Sequence, residues 1–143
     1  MFPGTSQAAP PIPLFNRSSH KCLEIADSSQ SNGARAQQWS CLGQQTSLWS
    51  MRTKADGTFE LVNMNSGKCL EVADSRTDNG APVQQWTCAG SDTQRWYFWR
   101  SAIVNVNSRM VLEIADSSQS NGARAQQWEY AGIPTQEWNL NAS

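Results

Sequence analysis

Polar and apolar residues alternate in short runs along this chain. Runs such as FELVN (59–63), KCLEVA (68–73), PVQQWTC (82–88) and RWYFW (95–99) are rich in branched and aromatic residues and are bounded by Asn, Ser, Asp and Gly. That is the pattern of short strands separated by turns. Helix is hard to place, because Asn32-Gly33, Asn79-Gly80 and Asn121-Gly122 interrupt every candidate window; such pairs suit tight turns that need positive φ.

The pattern repeats. LEIADSSQSNGARAQQW occurs at 23–39 and again, unchanged, at 112–128, with LEVADSRTDNGAPVQQW between them at 70–86. Each copy ends in a tryptophan that is followed ten positions later by another: Trp39 and Trp49, Trp86 and Trp96, Trp128 and Trp138. Leu14, Leu61 and Ile103, then Asn16, Asn63 and Asn105, align at the same offsets of 47 and 42. The five residues missing from the second offset fall between Trp96 and Ile103, where a surface turn absorbs them.

Four short strands per copy predict twelve in an all-β chain. One copy cannot bury its own apolar face, whereas three about a pseudo-threefold axis share a core. The expectation is a β-trefoil of three pseudo-equivalent four-stranded repeats. A propeller usually starts at four blades, and an open array needs modified end units, yet the outer copies here are the most alike. The expected organisation is a flexible N-terminal arm over 1–13 and a single trefoil domain over 14–140, with repeats at about 14–60, 61–102 and 103–140.

Composition narrows the function. The 143 residues fit one domain, and a hydrophobic content of 38% allows a modest core. Eleven basic and twelve acidic residues are scattered without runs of one sign, which argues against nucleic acid and against a basic membrane patch. No apolar run reaches the roughly 18 residues of a membrane span. Residues 1–13 lack the basic start and apolar run of a signal peptide and read as a loose arm.

Four cysteines stand as Cys22/Cys41 and Cys69/Cys88, each pair 19 positions apart and in the same context. Three pairings are possible, and the repetition favours these two local disulfides. Zinc is the competing reading, but single cysteines with only His20 nearby lack paired ligand clusters. Disulfides imply an oxidising compartment, hence a secreted or extracellular protein.

The order Cys-Leu-Glu-Val, Asp, Asn-Gly, Gln-Gln-Trp, Cys, Gln-x-Trp resembles the ricin B-chain type lectins, a carbohydrate-binding module family found on bacterial glycanases and in stand-alone bacterial agglutinins. The resemblance covers roughly 14–140. It implies a β-trefoil with up to three shallow sugar pockets. It also implies that Glu24, Glu71 and Glu113 bind sugar hydroxyls and that Trp39, Trp86 and Trp128 are aromatic platforms. Gln94 and Gln136 support their pockets, beside Trp96 and Trp138 in the core. The chain departs from the family pattern in four places: Glu stands where galactose-binding copies carry Asp, Thr46, Thr93 and Thr135 replace a common asparagine, Ser47 replaces the supporting glutamine, and Val111 and Tyr130 replace the third cysteine pair.

The chemistry of these residues fits that expectation. A sugar ring has a comparatively apolar face and an edge of hydroxyls, so it asks for a flat aromatic surface flanked by hydrogen-bonding groups. Trp39, Trp86 and Trp128 follow two glutamines on the approach to a turn, as an exposed platform does, with core packing the competing reading. Trp49, Trp96 and Trp138 read as core. Glu24, Glu71 and Glu113 lie inside apolar strands, where a carboxylate is costly unless bonded or partly exposed; a structural bond to a turn is their alternative role. Asp27, Asp74 and Asp116 read as turn-formers accepting backbone N–H groups. Gln37, Gln84 and Gln126 are inter-strand or pocket-shaping. Arg35 and Arg124 accompany the first and third platforms and Pro82 the second, which makes the second site the odd one in charge. The identical first and third segments predict one shared specificity.

The expected function is therefore non-catalytic, multivalent binding of galactose-like or rhamnose-like sugars on cell-surface glycans or polysaccharides. No cofactor, metal, nucleic acid or membrane insertion is expected. Threefold recurrence of the carboxylates suits three binding sites better than the single acid/base pair of a glycosidase. The alternatives are a polysaccharide-binding module of a glycanase and a trefoil that binds protein without sugar.

Overall fold

The computed structural model describes residues 10–140, and among these the chain forms twelve strands and six short 3-10 turns. The strands come in three groups of four. The first is β1 (Phe15–Asn16), β2 (Cys22–Ile25), β3 (Ala36–Trp39) and β4 (Trp49–Thr53). The second is β5 (Phe59–Asn63), β6 (Cys69–Val72), β7 (Val83–Trp86) and β8 (Trp96–Trp99). The third is β9 (Ala102–Asn105), β10 (Val111–Ile114), β11 (Ala125–Trp128) and β12 (Trp138–Asn139).

Each group contributes a hairpin of the same register. Cys22 faces Trp39 and Glu24 faces Gln37 in β2–β3. Cys69 faces Trp86 and Glu71 faces Gln84 in β6–β7, as Val111 faces Trp128 and Glu113 faces Gln126 in β10–β11. Because paired residues share a face and alternate residues return to it, every hairpin carries its Glu, first Gln and Trp together. The other strands pair as β4–β5, β5–β8, β8–β9 and β12–β1. Two backbone links complete the ring: Ile12 and Trp49 exchange N–H···O bonds of 2.8 Å, and the Trp138 N–H donates to Ser101 O at 3.0 Å. This is the β-trefoil that the repeat predicts, and closure is how it disposes of sheet edges.

The core is threefold as well. Leu14, Leu61 and Ile103 lie inside with Leu23, Leu70 and Leu112 and with Trp49, Trp96 and Trp138, none of them more than 3% exposed. Each of these indoles donates its N–H at 3.0 Å to a core leucine carbonyl, of Leu23, Leu70 and Leu112 in turn. Burial therefore leaves no indole donor unsatisfied.

Neighbouring repeats are locked through the Asn-Gly turns. Gly33, Gly80 and Gly122 have φ near +88°, a conformation that favours glycine. Their N–H groups donate to Gln85 O, Gln127 O and Gln38 O, each at 2.8 Å. Beside them, Asn32, Asn79 and Asn121 accept from the backbone N–H of Thr87, Glu129 and Ser40 at 2.8 to 2.9 Å. Repeat one thus holds repeat two, two holds three, and three holds one.

Both expected disulfides are present, Cys22–Cys41 and Cys69–Cys88. In the third copy Val111 packs with Ala102, Val104, Tyr97 and Tyr130 instead, and Trp99 meets Tyr130 edge-on at 4.7 Å. The shortened connection is the β8–β9 turn, where Arg100 and Ser101 both take positive φ, as a two-residue hairpin loop demands. Of the expected arm, residues 1–9 lie outside the described residues; Ile12 is already bonded to β4, two positions before the expected domain start.

Candidate functional site

Three open depressions recur, one at each β2–β3-type hairpin. The first is lined by Glu24, Asp27, Ser28, Gln37, Trp39 and Thr46, with a volume of about 210 Å³. Glu71, Asp74, Ser75, Gln84, Trp86 and Thr93 line the second, of about 300 Å³. Glu113, Asp116, Ser117, Gln126, Trp128 and Thr135 line the third, of about 240 Å³. These volumes lie at or below the lower end of drug-sized pockets, roughly 300–1,000 Å³, and all three depressions are open to solvent.

The indoles end their strands and remain accessible: Trp39 is 38% exposed, Trp86 43% and Trp128 39%. Each rests on the Asn-Gly turn of the preceding repeat. A Cβ added at Gly122, Gly33 or Gly80 would stand 3.8, 3.7 and 3.7 Å from Cζ3 of Trp39, Trp86 and Trp128 respectively. The turn glycine therefore permits the chain reversal and seats the neighbour's platform.

The carboxylates are nearly buried, at 5% for Glu24, 8% for Glu71 and 6% for Glu113. Glutamine amides, not backbone groups, hold them. Gln37 Nε2 donates to Glu24 Oε2 at 2.7 Å, Gln84 Nε2 to Glu71 Oε2 at 2.8 Å, and Gln126 Nε2 to Glu113 Oε2 at 2.8 Å. The second oxygens accept from Gln94 Nε2 at 3.2 Å and Gln136 Nε2 at 3.0 Å. Gln94 and Gln136 are fixed in turn because their Oε1 accepts the N–H of Ala89 and Ala131 at 2.8 Å. Two amide donors offset part of the desolvation of each carboxylate, and they preset its orientation toward the depression.

In the first copy, where Ser47 replaces the supporting glutamine, Gln44 takes its place and donates to Glu24 Oε1 at 3.3 Å. The backbone turn is the same in all three copies, the N–H of Ser47, Gln94 and Gln136 each bonding to the carbonyl three positions earlier; in the first copy the Ser47 hydroxyl also donates to Gln44 O at 2.9 Å, and it is the Gln44 side chain that reaches the carboxylate. The sequence signal was a glutamine three positions early, one turn of 3-10 geometry away.

The Gln-Gln-Trp triplet divides its labour. The first glutamine lines the depression, whereas Gln38, Gln85 and Gln127 are fully buried and bridge repeats. Gln85 Nε2, for example, donates to Ser29 O and Ser31 O of the first repeat at 2.9 and 3.0 Å. The three threonines are structural too: Thr46, Thr93 and Thr135 donate their hydroxyls to Ile25 O, Val72 O and Ile114 O at 2.9 to 3.0 Å.

Two expectations are corrected. Asp27, Asp74 and Asp116 do occupy turns, with φ of 59°, 56° and 59°, but their side chains are exposed and line the depressions instead of capping backbone N–H groups. The arginines also serve a different copy. Backbone bridges pair Arg35 with Gln84, Pro82 with Gln126 and Arg124 with Gln37, so each residue adjoins the next repeat's site. Arg35 Nη1 donates to Gln84 Oε1 at 2.8 Å. The site with proline for a neighbour is the third, not the second.

Each depression is thus lined by one flat apolar face, one preset carboxylate, one exposed aspartate carboxylate, and glutamine and serine groups. The sequence profile of the ricin-type β-trefoil lectin domain matches residues 11–138. The fold is similar to a designed threefold-symmetric protein, ThreeFoil, with a TM-score of 0.88 and 32% identity over 91% of this chain and 96% of that one. It is similar to part of an exo-β-1,3-galactanase from Clostridium thermocellum, with a TM-score of 0.88 and 28% identity over 98% of this chain and 31% of the enzyme. The Rhizoctonia solani agglutinin shares the fold at a TM-score of 0.81 and 20% identity, over 97% of this chain and 98% of the agglutinin. No significant match is found among curated protein sequences. On the match across nearly all of its repeats, the chain belongs to the ricin-type β-trefoil lectin domain family.

Proposed function

We propose that this protein is a non-catalytic, multivalent lectin whose three depressions each bind one galactose-like or rhamnose-like unit of a glycan. The observation that carries this reading is the threefold recurrence of a half-exposed indole beside a carboxylate preset by two glutamine amides. Trp39, Trp86 and Trp128 receive the apolar face of the ring. Glu24, Glu71 and Glu113 accept hydroxyl protons, joined by Asp27, Asp74 and Asp116. Each hydrogen bond to a hydroxyl replaces one to water, so its net gain is about 1 kcal/mol, or roughly twice that with a charged acceptor. Single sites are weak, and valence supplies the working affinity. The two disulfides and the lectin family support an extracellular setting.

Titration of tryptophan fluorescence with galactose, rhamnose and xylan fragments tests this reading. One of the sugars saturates a signal in the native protein, and W39A/W86A/W128A abolishes it while keeping the fold. A native protein silent to all three and to a glycan array, with its indoles unperturbed, overturns the proposal in favour of a trefoil that binds protein.

The likeness to part of an exo-β-1,3-galactanase favours a second reading, a module that tethers a glycanase to its polymer. That reading predicts retention on insoluble β-1,3-galactan without agglutination of red cells.

A further inference from the structure

We infer that Arg35 is a positioning residue for the second site, acting across the repeat boundary through Gln84, and that the residue at this position makes the three sites unequal. The inference rests on the sugar-binding reading above and deepens it.

Sequence identity between the first and third segments predicts two matching sites and one odd one. Across the pseudo-threefold axis, however, each first glutamine is bridged to the preceding repeat: Gln84 to Arg35, Gln126 to Pro82, and Gln37 to Arg124. The environment that distinguishes the sites is borrowed. By that criterion the first and second sites resemble each other, and the third stands apart although its own residues duplicate those of the first.

The contact at the second site has a definite chemical consequence. A glutamine amide has one accepting and one donating end. With the Arg35 guanidinium on Gln84 Oε1 at 2.8 Å, only Nε2 is left to face Glu71, and it does so at 2.8 Å. The reverse orientation would set the amide oxygen against a carboxylate and a guanidinium against an NH₂ group. Arg35 therefore fixes the amide, and the amide fixes the carboxylate. A charge-assisted bond polarises the amide and strengthens its donation. At the third site Pro82 has no side-chain donor to give. Gln126 still bonds Glu113 at 2.8 Å, but nothing from the neighbouring repeat holds its other end among the described residues. Arg124 stands in backbone register with Gln37, but among the described residues its guanidinium makes no hydrogen bond to that amide, so the clamp on the glutamine oxygen is seen at the second site.

Site-resolved NMR decides the matter. The indole N–H signals of Trp39, Trp86 and Trp128 are followed separately during titration with galactose, or with whichever of galactose, rhamnose and xylan fragments saturates the native protein. Loss of one charge-assisted support predicts that R35A weakens the Trp86 site roughly 3- to 10-fold and leaves Trp39 and Trp128 unchanged. The Gln84 side-chain NH₂ signals shift even without sugar, and R35K restores part of both effects. P82R, a gain that needs no contact removed, tightens the Trp128 site alone by a similar factor. Equal weakening at all three indoles in R35A, or no change at Trp86 together with no gain from P82R, overturns the inference. Silence of all three indoles in the native protein defeats the sugar-binding reading instead, so the two failures are distinct.

Discussion

The two tryptophans of each repeat sit in opposite surroundings, one buried and one half-exposed. Trp96 is fully enclosed with its N–H bonded to Leu70 O, whereas Trp86 is 43% exposed at the end of β7. W96A therefore costs about 3–5 kcal/mol of stability through its cavity. W86A costs far less stability and, on the proposed sugar-binding reading, removes binding at the second site; paired urea unfolding and sugar titrations separate the two outcomes. This division was legible in the sequence, because the later tryptophan follows the turn into an apolar strand and the earlier one closes a polar triplet. Gln44 was not legible, since alignment by offset looks for the supporting glutamine at residue 47 and finds serine. A glutamine three positions early was the one hint, and its side-chain contact with Glu24 is what identifies it.

Among elements, the β4–β5 hairpin carries an ion pair that the repeats do not share. Glu60 is buried opposite Arg52, whose Nη2 lies 2.7 Å from its Oε1, with Lys54 Nζ at 3.2 Å. Burial opposes the charged form of Glu60, but the hydrogen bonds and charges of Arg52 and Lys54 outweigh it and hold the carboxyl below its ordinary value of 4.5. A depressed carboxyl contributes stability that is present above the unfolded-state pKa and is lost as pH falls through the folded one. E60Q accordingly lowers stability at pH 7 by about 1 kcal/mol, a modest figure because both cations are partly exposed. The gap between native and variant closes as the medium is acidified well below 4.5; urea midpoints across pH check the trend. The equivalence of the three hairpins followed from the repeat itself. Which repeat each hairpin touches did not, because chain order says nothing of neighbours across an axis; in sequence Arg35 lies beside Trp39, whereas in space it adjoins Gln84.

At the scale of the whole molecule, the cyclic lock of Asn-Gly turns makes one rigid body that presents three depressions. If each binds a sugar, joint engagement raises avidity over a single site by about 10² to 10⁴. A protein reduced to one platform, such as W39A/W128A, then retains single-site binding in titration but loses agglutination of glycan-coated beads. The threefold architecture was plain from the recurring segments, while which site has the proline for a neighbour emerged only from the contacts between repeats. The most direct test is a crystal structure with the tightest-binding sugar of the titration series. The account predicts a pyranose ring lying against the indoles of Trp39, Trp86 and Trp128, with hydroxyls in hydrogen-bonding reach of Glu24, Glu71 and Glu113. A saturated crystal in which those depressions stay vacant and the sugar sits elsewhere would contradict it.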